Sequence, residues 1–225
     1  MAFVFTDELK EKLMKTDVSQ VGHYINSGYM RPEIKPLWAS KMCGPAYTVR
    51  YPADGSAVLY YAMERAPKGS VIVIDRGGDN YRASVGGIVT AMAKRMGMAG
   101  IVIDGYANDL EECMEAGVPV FAKGLSPVTT RMFDMNGSCN IPIQCGGAAV
   151  CPGDIIFGDS DGVIVLPPDE AIINKYIDMC NADYELEAIW KKAFAEGKTI
   201  SDFVNITKLV EADYGPVLAP LKQVK

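Results

Sequence analysis

The chain has 225 residues, of which 49% are apolar, and its 28 acidic residues outnumber the 22 Lys and Arg residues to give a net charge of −6. This length allows one large domain with a substantial core, and the composition is typical of a globular protein. The acidic balance, without a cluster of Lys and Arg, argues against a nucleic-acid-binding protein but leaves local binding of an anionic substrate open.

The cysteines and the single histidine limit the chemistry. No CxxC pair is present, and a chain of this size needs no disulfide framework, so we expect reduced thiols. The lone His23 excludes a zinc site built on several imidazoles, and we interpret it as structural. The groups that remain available for catalysis or ligand binding are therefore carboxylates, Arg, Lys, backbone amides and a metal held by oxygen ligands. The cysteines are Cys43, Cys113, Cys139, Cys145, Cys151 and Cys180.

The first residues lack the basic start and apolar core of a signal peptide. No apolar run approaches the roughly 18 residues of a membrane span. We therefore expect a soluble, cytoplasmic protein with no membrane contact.

The N-terminal third of the chain mixes short helices with one strand. Thr6 is a candidate cap for a first helix with acids in its first turn. A second short helix is predicted within 19–29, a strand over 44–51 and a helix over 56–66.

A strand, a helix and a second strand follow in the order of a parallel crossover. Val71–Ile74 and Gly100–Ile103 are continuous apolar runs, and a helix is predicted over Ser84–Met96. This order favours an α/β fold. Gly86 and Gly87 lie at the predicted helix start, where backbone N–H groups attract anions. The segment is not a phosphate-binding loop, since it lacks the Lys-Ser/Thr ending.

The C-terminal half begins with an irregular stretch, 126–147, rich in Pro and Gly. A hairpin is predicted from strands over 155–157 and 163–166, joined by an acidic turn that is too short for an EF-hand loop. A long helix is predicted over 168–196 and a short one around 204–212. We expect one domain over 1–225, with helical segments at about 1–40 and 168–225.

Two carboxylates occupy element ends in the stretch between residues 99 and 127. Asp104 follows the second apolar run, and Asp109 precedes a segment with acids in its first turn. Such positions commonly hold ligand sites in α/β proteins, but from spacing alone turn formation and helix capping are the favoured interpretation of both residues.

Five blocks together resemble the RraA-like family, which includes regulator of ribonuclease activity A and the class II 4-hydroxy-4-methyl-2-oxoglutarate aldolases. The blocks are PKGSVIVID, VGGIVTAMAKRMGMAGIVIDG with the following ND, AGVPVFAKGLSP and PGDIIFGDSDGVIVLP, all between residues 44 and 167. The resemblance implies a swivelling-type β/α sandwich flanked by helices, assembled as a homotrimer or hexamer with sites between subunits.

The resemblance also implies a site. Backbone amides of the segment at Gly86, Gly87, Ile88 and Val89 would bind a pyruvate carboxylate, and Asp109 would hold a divalent metal, Mg²⁺ or Mn²⁺. Because Mg²⁺ prefers oxygen ligands and the chain has one histidine, magnesium fits better than zinc.

Two departures from the family pattern concern chemistry. Gly87 stands where the family has Glu, and Asn108 stands where the family has the Arg that contacts the keto-acid end of the substrate. Arg gives two charge-assisted bonds and Asn a neutral amide, so Asn108 is a weaker substrate-binding and catalytic candidate. Arg76 or Arg82 is a candidate source of the missing charge.

Three functions follow. The first is a metal-dependent lyase that cleaves or decarboxylates a 2-oxo acid through a pyruvate enolate, with Asp109 and Asn108 in the catalytic site. The second is a non-catalytic regulator that binds a ribonuclease or another protein. The third is a related metal enzyme whose reaction has changed with Asn108 and Gly87.

Overall fold

The computed structural model describes residues 3–52, 54–132 and 137–210. The helices are α1 (Asp7–Met14), α2 (Val18–Gly22), α3 (Ala57–Met63), α4 (Gly87–Met96), α5 (Leu110–Ala116) and α6 (Glu170–Ala195), with a 3-10 helix at Ile200–Asp202. The strands are β1 (Lys35–Pro36), β2 (Met42–Arg50), β3 (Val71–Asp75), β4 (Ala83–Val85), β5 (Gly100–Ile103), β6 (Tyr106–Ala107), β7 (Val120–Ala122), β8 (Ser138–Cys139), β9 (Ile143–Cys145), β10 (Ala148–Val150), β11 (Ile155–Asp159) and β12 (Gly162–Leu166).

The main sheet has the order β1-β7-β5-β3-β2-β11-β12, and β8 adds to one end of β2. Strands β2, β3, β5 and β7 are parallel neighbours, whereas the β11–β12 hairpin joins β2 antiparallel. The two ends of the sheet approach each other, since Lys35 Nζ in β1 donates to the carbonyl of Asp161 at 2.6 Å. The predicted α/β class, parallel crossover and hairpin are confirmed.

The apolar strands are buried because both faces of the sheet are covered. Ile72 and Ile74 of β3 pack towards α3 and α4, while Val71 and Val73 pack towards the β9–β10 hairpin. This alternation is the two-residue period of a strand. Burying each such side chain contributes roughly 1.5–3 kcal/mol, so the parallel strands form the centre of the core.

The β9–β10 hairpin begins within the stretch 126–147, which sequence alone predicts to be irregular. Cys145 pairs with Ala148 across a two-residue turn made of Gly146 (φ 57°) and Gly147 (φ 84°). Both turn positions need positive φ, which glycine adopts at low cost. The Gly-Gly pair was therefore a hairpin signal, which the three-residue strands beside it obscured.

Three predicted helices are clearly shorter in the structure, and the one predicted over 56–66 is Ala57–Met63. The second helix, predicted within 19–29, is Val18–Gly22. The prediction of helix over Ser84–Met96 is wrong at its start, because Ser84 and Val85 belong to β4 and the helix begins at Gly87. The Val85 carbonyl accepts from the Asn108 backbone N–H at 2.9 Å, and this pairing keeps the segment extended.

The N-terminal segment is tied to the sheet by side-chain hydrogen bonds. The predicted cap on α1 is confirmed, since the Thr6 hydroxyl accepts from the Leu9 N–H at 3.2 Å. Helix α2 receives no side-chain cap from Asp17. Instead, its first N–H, at Val18, donates to Asp159 Oδ2 at 2.8 Å. Strand β11 thus supplies the hydrogen-bond acceptor for the first N–H of a helix that lies far from it in sequence.

The chain divides into two compact units, Met1–Cys180 and Asn181–Lys225, and α6 continues from one into the other. In the first unit, Ile173, Ile177 and Cys180 of α6 are buried. In the second, the rings of Trp190 and Phe203 lie 6.3 Å apart. A single domain over 1–225 stays a prediction.

The end of the chain is described in part. Residues 206–210 are helical, within the short helix predicted around 204–212. Positions 211 and 212 lie outside the described residues.

No disulfide bond links the six cysteines, all of which lie within the described residues, and Cys151 is the exposed one. Across the described ranges, no helix combines the length and the apolar composition that crossing a bilayer requires.

Candidate functional site

Strands β4 and β6 bring together two segments that are distant in sequence. They pair in parallel as a small separate sheet, with Ala83 opposite Tyr106 and Val85 opposite Ala107. The residues that follow each strand therefore meet, since both strands run the same way. These residues are Gly86 at the start of α4 and the pair Asn108 and Asp109 before α5.

Gly86 is the point on which the two polar side chains converge. A β-carbon built on Gly86 would lie 2.5 Å from Asn108 Oδ1 and 2.5 Å from Asp109 Oδ2. Any side chain at this position would displace both oxygens. The glycine is therefore required by side-chain approach, since its φ of −137° is open to all residues.

Asp109 has an unusual backbone for a residue that precedes a helix. Its φ and ψ are 50° and 52°, the left-handed region, and its side chain makes no capping bond with α5. Its Oδ2 accepts instead from the Gly87 N–H at 3.3 Å, at the start of α4. A non-glycine residue in this region costs on the order of 1 kcal/mol, and such strain commonly marks functional positions. Helix capping thus does not explain Asp109.

A cavity of about 270 Å³ opens beside these residues. Its lining includes five residues with hydroxyl groups, which are Ser56, Tyr60, Ser84, Thr129 and Thr130. The other lining residues are Gly86, Ile88, Val89, Asn108, Asp109 and Met132. Gly87 lies behind this surface, where its N–H contacts Asp109. The structure therefore brings together all six predicted site positions.

The hydroxyl-bearing lining residues are the ones that sequence reasoning missed. Ser56 precedes α3, and Thr129 lies beside Ala83 of β4 through an isolated bridge. No spacing rule links these positions to residues 86–109. They meet at the cavity because the irregular segment bridges to both neighbours, Thr129 to Ala83 of β4 and Arg131 to Gly55.

One hydroxyl group of the lining is buried and incompletely bonded. Ser84 is 3% exposed, and its Oγ lies near the phenol oxygen of Tyr51. Neither oxygen has a well-formed hydrogen bond to a described residue. Burial raises the pKa of Tyr51 to about 12, against the smaller opposing effect of the Arg76 guanidinium. The phenol is thus neutral at physiological pH, and Ser84 keeps bonding capacity beside the cavity.

The arginines expected to replace the missing family charge are occupied elsewhere. The Arg76 side chain is fully buried, stacks 4.2 Å from the Tyr51 ring and pairs with Asp79 Oδ2 at 2.8 Å. Arg82 pairs with the same oxygen at 3.1 Å. Neither arginine lines the cavity, whose described residues carry one formal charge, at Asp109.

The space beside Gly87 is filled by a glutamate from the next helix. A β-carbon on Gly87 would lie 2.7 Å from both Cβ and Cδ of Glu112 and would overlap the Glu112 carboxylate. Position 87 thus has no room for a side chain while Glu112 keeps its conformation. The carboxylate beside the start of α4 is therefore that of Glu112, which belongs to α5.

Cys113 lies below the site and is not a candidate nucleophile. Burial raises the pKa of the Cys113 thiol, and the carboxylates of Asp109 and Glu112 raise it further. Its Sγ lies 3.4 Å from the Asn108 carbonyl oxygen as a weak donor. A neutral, buried thiol is unreactive.

Asp104, the other carboxylate noted in the sequence, lies outside this cavity. It forms an ion pair with Lys123 at 2.6 Å and accepts from the Gly146 N–H at 2.9 Å. It therefore links β5, β7 and the β9–β10 turn, which agrees with a structural role.

The donor set fits a hydrated divalent ion. The described residues contain no group of three or more His, Cys, Asp or Glu side chains arranged as metal ligands. Asp109 is exposed, however, and both its carboxylate and the Asn108 amide line the cavity beside Gly86. One carboxylate with neutral oxygens suits Mg²⁺, which keeps several waters and takes its remaining ligands from substrate.

The fold and the site define a member of the RraA-like family. Residues 15–165 match this family, described as Aldolase/RraA, and the chain belongs to it. A protein of Halalkalibacterium halodurans, provisionally named a 4-hydroxy-4-methyl-2-oxoglutarate aldolase, is 39% identical over 145 residues, which are 63% of this chain and 69% of that protein. Protein DlpA of Legionella pneumophila is 33% identical over 177 residues, which are 74% of this chain and 28% of that protein.

Solved structures of the family share the fold. RraAS2 of Streptomyces coelicolor, an unusual member of the RNase ES inhibitor RraA family, has a TM-score of 0.71 and 25% identity, covering 83% of this chain and 96% of that one. The RNA-processing inhibitor RraA of Thermus thermophilis has a TM-score of 0.61 and 26% identity, covering 68% of this chain and 94% of that one. The predicted α/β class with flanking helices is thereby confirmed.

Proposed function

We propose that this protein is a divalent-metal-dependent lyase that cleaves or decarboxylates a 2-oxo acid to release pyruvate. The observation that carries the proposal is the arrangement of Asp109. Its strained backbone turns the carboxylate away from its own helix and towards Gly86 and the start of α4. Relatives named as aldolases support the reaction class.

The start of α4 would bind the substrate carboxylate. The N-cap residue Gly86 has no side chain and leaves the first turn open to the cavity, while Asp109 Oδ2 accepts from the Gly87 N–H there. The backbone N–H groups of Gly87, Ile88 and Val89 there have no partners within the helix, because the first turn lacks them. The positive end of the helix adds a favourable interaction with an anion.

Asp109 would hold Mg²⁺ or Mn²⁺ through its exposed carboxylate, with the Asn108 amide beside it. When bound, such an ion supplies polarisation of the 2-oxo group. Cleavage of the C3–C4 bond would leave its electron pair on the C1–C3 fragment as an enolate, which takes up a proton to give pyruvate. The other fragment leaves as a second pyruvate once the 4-hydroxyl group has lost its proton, or as CO2 when the substrate is oxaloacetate. The Asn108 amide would donate to the developing negative oxygen, as a neutral substitute for Arg.

The lining residues would orient the remainder of the substrate. The hydroxyl groups of Ser56, Tyr60, Thr129 and Thr130 both donate and accept hydrogen bonds, so they suit hydroxylated substrates. Burial raises the pKa of Tyr60, which keeps its phenol protonated as a donor. We extend the proposal to a homotrimer or hexamer in the cytoplasm.

A second candidate function is a non-catalytic regulator that binds a ribonuclease or another protein. Two observations favour it, namely the neutral residues Gly87 and Asn108 and the similarity to RraAS2 of the RNase ES inhibitor family. A metal enzyme with a changed reaction would fit the same two residues.

Pyruvate release in the presence of Mg²⁺ or Mn²⁺ tests the proposal. The protein is incubated with 4-hydroxy-4-methyl-2-oxoglutarate or oxaloacetate, and pyruvate is followed through lactate dehydrogenase and NADH. Because oxaloacetate decarboxylates spontaneously with metal ions, a protein-free sample with the same metal is subtracted. We expect turnover that chelation by EDTA abolishes.

Asp109→Ala and Glu111→Ala form a matched pair for this assay. Both residues are exposed acids near the start of α5, but only Asp109 lines the cavity. Asp109→Ala should remove turnover, and Glu111→Ala should retain it. Absence of turnover with both substrates, together with metal-independent thermal stability, would instead favour the regulator.

A further inference from the structure

A second polar cavity, separate from the Asp109 site, lies at the carboxyl ends of the parallel strands. It encloses about 710 Å³ and shares no lining residue with the first cavity. Arg50 ends β2, Asp75 ends β3, Asp104 follows β5 and Lys123 follows β7. Because these strands are parallel neighbours, their carboxyl ends meet at one edge of the sheet, a recurrent place for ligands in α/β folds.

Cations outnumber carboxylates in the lining. Arg31, Arg50 and Lys123 face Asp75 and Asp104, and they lie beside the amide side chains of Asn80 and Gln144. The cavity therefore has a positive balance in a protein whose net charge is −6. A local excess of cations in a concave, polar site attracts anions.

The two aspartates position the cations. Asp75 Oδ2 accepts from Arg50 Nε at 3.0 Å, and Asp75 Oδ1 accepts from the Gly77 N–H at 2.6 Å. Asp104 binds Lys123 through one oxygen and the Gly146 N–H through the other. Both carboxylates are thereby engaged by the protein, Asp104 Oδ1 through its ion pair with Lys123, so they hold the cations without filling the cavity.

Two guanidinium groups keep donors for a ligand. Arg50 is held at Nε alone, and its two terminal nitrogens have no hydrogen-bond acceptor in the described part of the chain. Arg31 approaches Asp104 only to 3.9 Å, and its side chain is 59% exposed. The terminal edge of an arginine fixed at Nε is a preformed fork for carboxylate or phosphoryl oxygens.

We propose that this cavity binds a small organic anion with carboxylate or phosphoryl groups, through Arg50, Arg31 and Lys123. The volume fits a metabolite of small size, within the usual range for ligand pockets. Asn80 and Gln144 supply neutral groups for hydroxyls or further oxygens. This binding does not depend on the lyase activity proposed for the Asp109 site.

Titration calorimetry with citrate and with pyrophosphate tests the proposal. Each anion is added to the full-length protein at constant ionic strength, set with KCl, so that general screening does not contribute. We expect one-to-one binding of at least one anion. A response to citrate alone identifies carboxylate ligands, and a response to pyrophosphate alone identifies phosphoryl ligands.

Arg50→Gln and Arg31→Gln locate the binding. Loss of one charge-assisted contact should weaken affinity about tenfold or more. Arg31→Gln keeps the test valid if Arg50→Gln fails to fold, because the exposed Arg31 side chain contributes little to stability. Arg65→Gln is the control, since Arg65 stacks on Tyr61 at 3.5 Å and lies outside the cavity lining. No binding of either anion at millimolar concentration, or unchanged affinity in both variants, overturns the proposal.

Discussion

The Asp109 carboxylate lies against the α-carbon of Gly86, so closely that a methyl group on Gly86 would come within 2.5 Å of Asp109 Oδ2. Residues 23 positions apart in sequence thus share one small volume at the start of α4. A side chain at position 86 would therefore displace Asn108 and Asp109, and substitutions at Gly86 should change their positions.

Gly86→Ala should lower pyruvate release at least tenfold with little change in stability. The added methyl group meets only the ends of the Asn108 and Asp109 side chains, and the backbone of Gly86 is compatible with alanine. Steady-state kinetics and thermal unfolding measure the two effects. Gly22→Ala is the control, since nothing lies within 4 Å of its added carbon. A fully active Gly86→Ala enzyme would show that the position of Asp109 does not matter.

Gly87→Ala should destabilise the protein by about 1–3 kcal/mol, because its methyl group overlaps Glu112. Glu112→Gly removes the obstacle at a cost of about 1 kcal/mol in helix propensity. In a double-mutant cycle by urea unfolding, the double variant should lose less stability than the sum of the single losses. For the same reason, Gly87→Glu alone should not raise activity. Strict additivity in the cycle would contradict the contact.

Asn108→Arg should raise kcat/KM on 4-hydroxy-4-methyl-2-oxoglutarate by about tenfold. The cavity has one formal charge in its described lining, at Asp109, and a guanidinium would add a charge-assisted donor for the keto-acid end. Asn108→Gln, which lengthens the side chain without charge, separates size from charge. If the Arg variant folds and is no faster, the neutral residue at position 108 does not limit the proposed reaction.

Asp79→Asn should cost about 3 kcal/mol of stability at neutral pH, because it leaves the buried Arg76 guanidinium without its ion-pair partner. Burial opposes the charged form, but bonds from Tyr81, Arg82 and Arg76 together lower the pKa of Asp79 below its ordinary value of 3.8. Since the folded-state pKa is the lower one, this stabilisation is complete above about pH 4 and is lost as the pH falls through the folded-state pKa.

Urea unfolding of the wild type and of Asp79→Asn at several pH values checks this expectation. The stability difference should be constant near neutrality and shrink below pH 4. Exposed Asp161→Asn is the reference for general effects of removing a carboxylate. A difference that grows on acidification would contradict the assigned direction.

The parallel core was predictable from sequence because its strands are continuous apolar runs, as in Val71–Ile74 and Gly100–Ile103. The meeting of Gly86 with Asp109 was not, since β4 and β6 are too short for any periodic signal. Only resemblance to a family placed these residues in one site. The contribution of residues 129 and 130 depends on an irregular loop, which carries no pattern at all.

Strand β2 has a consequence for how the protein folds. Its Cys43 pairs with Phe157 of β11, which lies far along the chain, while its other edge pairs with the nearby β3. A growing chain can form β2 and β3 early, but the antiparallel edge stays unpaired until the hairpin has been synthesised. Long-range pairing of this kind slows folding, and an unpaired edge promotes association between chains. Nascent chains truncated before residue 155 should therefore aggregate more readily than chains that include the hairpin.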